Sequence, residues 1–286
     1  MAMLDLSDER REVCAVLDAL GIPVTAWLVL GAEAGYWLTA DNAHLGHARY
    51  RELLSWARDA HLRFEAVGLD LETPHDDLRD LLDQGRAALG RLFLSRRSRA
   101  ALERAVAQYR VLCGEIRRDG HRVETYQFPL VLDERRVGST LLQRTFGFVD
   151  VAPDREVLML YESLLPAQIS EAMVDTYGRD CQAIGVGLTG GGVDFVLEAI
   201  GRRTLSLERL VTALRRARRY TRHLYVFSLE GCVEAGYLEA LCAADLERPV
   251  PPTPLALGGL LMRAGLRLAL RGERLLDRLD GQRGGR

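Results

Sequence analysis

The sequence predicts an α/β fold in which parallel strands alternate with crossover helices and curl into a (β/α)8-type TIM barrel, short of its full strand count. Three observations carry this expectation. Six short runs rich in Val, Leu and aromatic residues are nearly continuous in apolar character, as strands covered on both faces are. Longer stretches with helical periodicity separate them. No G-x-G-x-x-G follows an early run, which weighs against an open doubly wound sheet.

The strands are expected at residues 22–30, 64–71, 123–132, 156–161, 183–188 and 223–229. A short strand at 2–6 supplies a seventh. The eighth is missing, so either the barrel is incomplete or its N-terminal portion lies outside this chain. The first helix spans 8–20, with Ser7 as N-cap, Gly21 at the left-handed C-terminal position and Pro23 blocking continuation. Further helices are expected at 43–60, 76–94, 98–118, 166–177, 206–219 and 234–243. Residues 1–246 then form the barrel domain. Pro249, Pro251, Pro252 and Pro254 make a stiff connector to a closing amphipathic helix, and 247–280 are grouped with it. The Gly/Arg tail at 281–286 is expected to be disordered.

With 286 residues and 48% hydrophobic content the chain can bury a sizeable core. A net charge of −2 provides no bulk basic face, so nucleic acid is not the expected partner. Every basic residue is arginine. The absence of lysine excludes Schiff-base chemistry, pyridoxal phosphate anchoring and the P-loop lysine together. The five cysteines are scattered and never form C-x-x-C, which suggests buried thiols and neither a zinc knuckle nor a disulfide framework. No apolar leader opens the sequence, and the apolar stretch at 255–270 is interrupted by Arg263 and Arg267, so the expectation is a cytoplasmic protein without a membrane span.

Barrel enzymes build their sites at the C-terminal ends of strands, and here those ends are acidic. They carry Asp70 and Glu72, then Asp133 and Glu134, then Tyr161 and Glu162, and finally Glu230. Carboxylates crowded at an apolar mouth lose hydration and repel one another, which raises some pKa values toward those of working acids. Glycosidic chemistry suits such a set, and so does a divalent cation. Side chains alternate along a strand, so Asp70 and Glu72 point to one side with Gly68 below them. Glu72 at the rim is then a candidate general acid, and Asp70 beneath it holds a charge or a hydrogen bond. A D-x-E that merely caps a strand before the Thr73-Pro74 turn fits the spacing equally. Tyr36 and Trp37 either stack on a sugar ring or plug the mouth. His44 and His47 read as a solvated helix face, His75 as a residue lining the cleft, and the glycines at 190–192 as a turn or a phosphate cradle.

Three motifs in order resemble the family-eighteen glycoside hydrolases, the chitinase and endo-N-acetylglucosaminidase-like barrels. Their D-x-x-D-x-D-x-E is matched by Glu65-x-x-Gly68-x-Asp70-x-Glu72, their M-x-Y-D by Met159-Leu160-Tyr161-Glu162, and their W-S-x-D by Phe227-Ser228-Leu229-Glu230. The resemblance implies substrate-assisted retention, in which the substrate's own acetamido group attacks. It assigns Glu72 to protonating the leaving oxygen, Asp70 to orienting the acetamido group and Tyr161 to its carbonyl. Glu162, Glu230, Trp37, Tyr36, Phe227 and Asp133 are the candidate substrate-binding residues. No cofactor and no metal are expected for this chemistry, and the partner is a carbohydrate. The departures are Glu65, Gly68 and Phe227, which stand where the family has Asp, Asp and Trp. One rival is a divalent-metal isomerase or aldolase-type barrel using Glu72, Glu162 and Glu230 as ligands. The other is a carbohydrate-binding barrel that has lost catalysis.

Overall fold

The computed structural model describes residues 1–161, 167–191 and 204–283. Chain order begins α1 (Asp8–Ala19), β1 (Thr25–Leu28), α2 (Ala43–Asp59), β2 (Ala66–Asp70), α3 (His75–Gln84), α4 (Arg86–Leu94), α5 (Arg99–Arg118) and β3 (Arg122–Gln127). It continues with α6 (Leu130–Val137), α7 (Leu141–Phe146), β4 (Arg155–Met159), α8 (Ala167–Tyr177), β5 (Ala183–Gly187) and α9 (Leu207–Arg218). It ends with β6 (Leu224–Phe227), α10 (Leu229–Glu234), α11 (Leu238–Ala243) and α12 (Ala256–Arg283). The fold is therefore α/β, and each expected strand region contains one strand. The chain forms two compact units: Met1–Gln127 with Leu142–Glu156, and Phe128–Leu141 with Val157–Arg286.

In the first unit β1, β2 and β3 pair in parallel, with Gly68 opposite both Trp27 and Glu124, and Asp70 opposite Tyr126. That register sorts the side chains into two faces. Ala26, Leu28, Val67, Leu69 and Val123 join Tyr50 and Leu53 of α2 and Tyr109, Leu112 and Ile116 of α5 in one apolar core. Trp27, Gly68, Asp70, Glu124 and Tyr126 occupy the other face. Ser7 and Ser98 cap α1 and α5 by accepting from the backbone N–H groups of Arg10 and Ala101, which satisfies donors the helix itself cannot.

In the second unit β4, β5 and β6 pair in parallel, and α12 packs on α6 and α8. Gly259 makes that packing close, because a Cβ there would lie 2.2 Å from Thr176 Oγ1. The anchor is Asp133, which is fully buried. It accepts from Tyr177 Oη at 2.7 Å, Arg263 Nε at 3.0 Å and Arg267 Nε at 2.7 Å, and the Arg263 guanidinium lies 4.0 Å above the Tyr177 ring.

Several expectations are corrected. Six strands stand among the described residues, short of a closed eight; at 2–6 the chain makes a single parallel bridge, Ala2 to Trp27, in place of a strand. The third strand ends at Gln127, because Pro129 takes helical angles and leads into α6. The helix expected at 76–94 breaks at Gly85, whose φ is +52°, giving α3 and α4. The closing helix runs through residue 283, so 281–283 are helical, and 284–286 lie outside the described residues. No helix among the described residues is long and apolar enough to cross a membrane.

Replacing Asp133 by alanine strips two guanidiniums of a buried anion and is expected to lower stability by about 3–5 kcal/mol. Equilibrium unfolding in urea reads this as a lower midpoint.

Candidate active site

Glu72 is positioned by the backbone before its side chain contributes. The chain continues past β2 in extended form, held from both sides: Leu38 N donates to Asp70 O at 3.0 Å, Glu72 N to Leu38 O at 3.1 Å and Leu71 N to Tyr126 O at 3.2 Å. Trp37 Nε1 then donates to Thr73 O at 2.6 Å, fixing the residue that follows. The pleat survives through this clamp, so Asp70 and Glu72 emerge on the same face and hydrogen-bond to each other.

Burial sets the electrostatics of this pair. Asp70 is 4% exposed and Glu72 is half-buried. Loss of hydration holds the Asp70 carboxyl well above the usual carboxylate range, and the neighbouring Glu72 charge and hydrogen bond add to it. Glu72 is pushed up to about 7 by burial, with the hydrogen bond from Asp70 opposing part of the rise. The pair accordingly keeps one proton on Asp70, which donates to Glu72, while Glu72 exchanges its own proton near neutrality. Asp70 Oδ1 is buried without a hydrogen-bond partner.

An aromatic floor surrounds Gly68. Tyr126 folds across β2, so that a Cβ on Gly68 would lie 2.8 Å from Tyr126 Cε2 and 3.1 Å from its Oη. Tyr126 Oη donates to Glu124 Oε1 at 2.8 Å, and Arg155 Nη1 stands 3.5 Å from Glu124 Oε2, so the buried Glu124 charge is compensated. The half-buried Trp27 ring meets Tyr126 edge-on at 6.4 Å and Tyr36 at 6.3 Å. Gly68 is thus the space that Tyr126 occupies, and an aspartate there has no room.

The other candidate residues fall in both units, and each is described within its own. Tyr36 and Trp37 are neighbours, with ring centroids 5.8 Å apart. Trp37 is 5% exposed, packs on His75 at 5.6 Å and clamps Thr73, so it is a structural plug and not a stacking platform. In the second unit Tyr161 and Phe227 bring their rings to 6.1 Å, and a Cβ on Gly185 would sit 3.5 Å from Tyr161 Cε1. Glu230 belongs to the first turn of α10 and is exposed, not at a strand end. Asp133 is consumed by its arginines inside the second unit and has no surface to offer a substrate. Glu134 is likewise buried in α6. Glu162 lies outside the described residues. Sequence reasoning missed Trp27, Glu124 and Tyr126. The signal was present in Val123-Glu124-Thr125-Tyr126-Gln127, where polar groups interrupt an otherwise apolar strand.

No protein-family model matches the chain, and no curated protein sequence matches it. Among the described residues no three His, Cys, Asp or Glu side chains gather as a metal site. The strongest chemical feature of the first unit is the proton-sharing carboxyl pair.

Two outcomes follow from this geometry. Because Glu72 binds its proton more tightly in the folded chain than at its ordinary value of 4.5, the fold holds extra protons between that pH and about 7. Stability from this group is fully present below the lower value and lost as pH rises through 7, on the order of 1–3 kcal/mol. Thermal unfolding against pH should show this decline, and Glu72→Gln should flatten it. Gly68→Ala should destabilise by about 1–3 kcal/mol through its clash with Tyr126. Adding Tyr126→Leu should recover part of that loss in the double variant.

Proposed function

We propose that the chain is a glycoside hydrolase, with Glu72 as general acid/base and Asp70 assisting. The observation that carries this reading is the buried carboxyl pair whose outer member is pushed up to about 7. A general acid must hold its proton at the working pH and release it during bond cleavage, and a carboxyl tuned near neutrality does both. When Glu72 gives its proton to the leaving oxygen, the protonated Asp70 already donates to it and stabilises the carboxylate that forms. Trp27, half-buried opposite Gly68 on the same face of the sheet as Asp70, supplies an apolar ring face of the kind that packs against sugars.

Family-eighteen likeness adds the remaining parts. Closure of the parallel strands into a (β/α)8-type barrel, assistance from a substrate acetamido group, and roles for Tyr161, Glu162, Phe227 and Glu230 in binding the sugar all rest on the resemblance. The same resemblance exposes a weakness: with Gly68 in place of the middle aspartate, Asp70 pairs with Glu72 and leaves Oδ1 unpartnered. That observation favours a second reading, a barrel that binds carbohydrate without turning it over.

Release of reducing sugar from N-acetylglucosamine-containing and neutral glycans separates the two. For the hydrolase, Glu72→Gln is expected to lose at least about a hundredfold in kcat. Activity should be present below pH 7 and fall as Glu72 ionises above it. Equal turnover by both proteins removes Glu72 from the role. Binding that survives Glu72→Gln, with no product from either protein, selects the second reading.

A further inference from the structure

Helix α12 buries arginines beside Leu270 on its inward side and exposes most of its leucines. Between residues 256 and 275 its inward side includes Arg263, Arg267 and Arg274, which reach Asp133, Asp180 and the Val137 carbonyl. Its outward side is apolar. Twelve residues of this stretch are exposed, and eleven of them are Leu, Met, Ala or Gly, with Arg271 the exception. Leu257, Leu261, Leu268 and Leu275 are 60–70% exposed. A helix whose charges lie inward and whose leucines lie outward requires an apolar partner on the outside.

The pattern on that outer side identifies the partner. Leu261, Leu268 and Leu275 recur every seven residues, the repeat that keeps one seam turned toward a second helix. Gly265 and Gly272 follow Leu261 and Leu268 by four, on the next row of the same face, and a Cβ at either would meet nothing within 4 Å. The face is therefore a leucine ridge beside a glycine groove. Two copies related by a two-fold axis place each ridge in the other's groove, so the surface is complementary to itself, as an isologous interface must be. The strip from 257 to 275 is about 27 Å long and roughly 10 Å wide on each copy. Over the two copies this amounts to about 540 Å² in projection, the footprint of a small, reversible interface.

We propose that the exposed face of α12 is a homodimer interface, occupied by the same helix of a second copy. Size-exclusion chromatography with light scattering at tens of micromolar should give a mass of about 64 kDa, twice 31.9 kDa. Leu261→Glu with Leu268→Glu should weaken the dimer by roughly tenfold or more without changing the far-UV circular dichroism. Gly265→Leu is the discriminating variant: it fills the groove and should also dissociate the dimer, whereas a non-specific greasy contact would tighten with the added apolar area. A monomeric parent protein overturns the proposal, as does a dimer that ignores the Glu variants or tightens with Gly265→Leu. A monomer that co-floats with phosphatidylcholine–phosphatidylglycerol vesicles assigns the face to lipid and equally overturns it.

Discussion

Two carboxyl groups, one on the face of β2 opposite the α2–α5 core and one on the extended chain just past it, one buried and one half-buried, cannot both ionise, and the local structure of the first unit is arranged around that constraint. Unit charges about 4 Å apart repel by about 1 kcal/mol in bulk water and about 4 kcal/mol at the effective dielectric near a protein surface, before any loss of hydration. Retaining one proton between Asp70 and Glu72 removes the repulsion and turns it into a hydrogen bond. The backbone clamp from Leu38 and Tyr126 holds the pair in register, so the two groups cannot swing apart to escape each other. Gly68 contributes by absence. With no side chain there, Tyr126 covers the strand below Asp70 and limits the water that would otherwise lower both pKa values.

Much of the fold was legible because apolar continuity marks buried parallel strands, and each of the six runs contains one. The failures are equally physical. Residues 123–132 read as one strand because Leu130, Val131 and Leu132 continue the apolar character, yet Pro129 lacks an N–H and takes helical angles, so these residues open α6, whose buried side is Val131, Asp133, Glu134 and Val137. Periodicity over so short a run does not separate a buried strand from a buried helix turn. This one boundary moved Asp133 from a supposed rim to the interior.

The site was half legible for a related reason. Spacing alone puts positions 70 and 72 on one side of a strand, and the structure adds their hydrogen bond and their dehydration. Trp27, Glu124 and Tyr126 were hidden inside runs read simply as buried. A glutamate within a strand is itself a signal, since a charge removed from water must find a partner, and Glu124 finds Tyr126 and Arg155. Trp37 left two readings open, stacking on a sugar or plugging the mouth. Its indole N–H is committed to Thr73 and its surface is covered.

The polarity of α12 follows from the charge it docks against. A hydrophobic stripe identifies two faces of a helix but not which one turns inward; that depends on what the receiving surface holds. Here the receiving surface holds Asp133, a fully buried anion that must find cationic or hydrogen-bonding partners. Arg263 and Arg267 satisfy it, and Tyr177 adds a hydroxyl donor and a ring face to the same group. The arginines must therefore point inward, and the leucines on the opposite side of the same helix have nowhere to go but out. The outward apolar face of α12 is in this sense tied to one buried aspartate, and the sequence pattern that suggested a closing amphipathic helix left open which face turns inward.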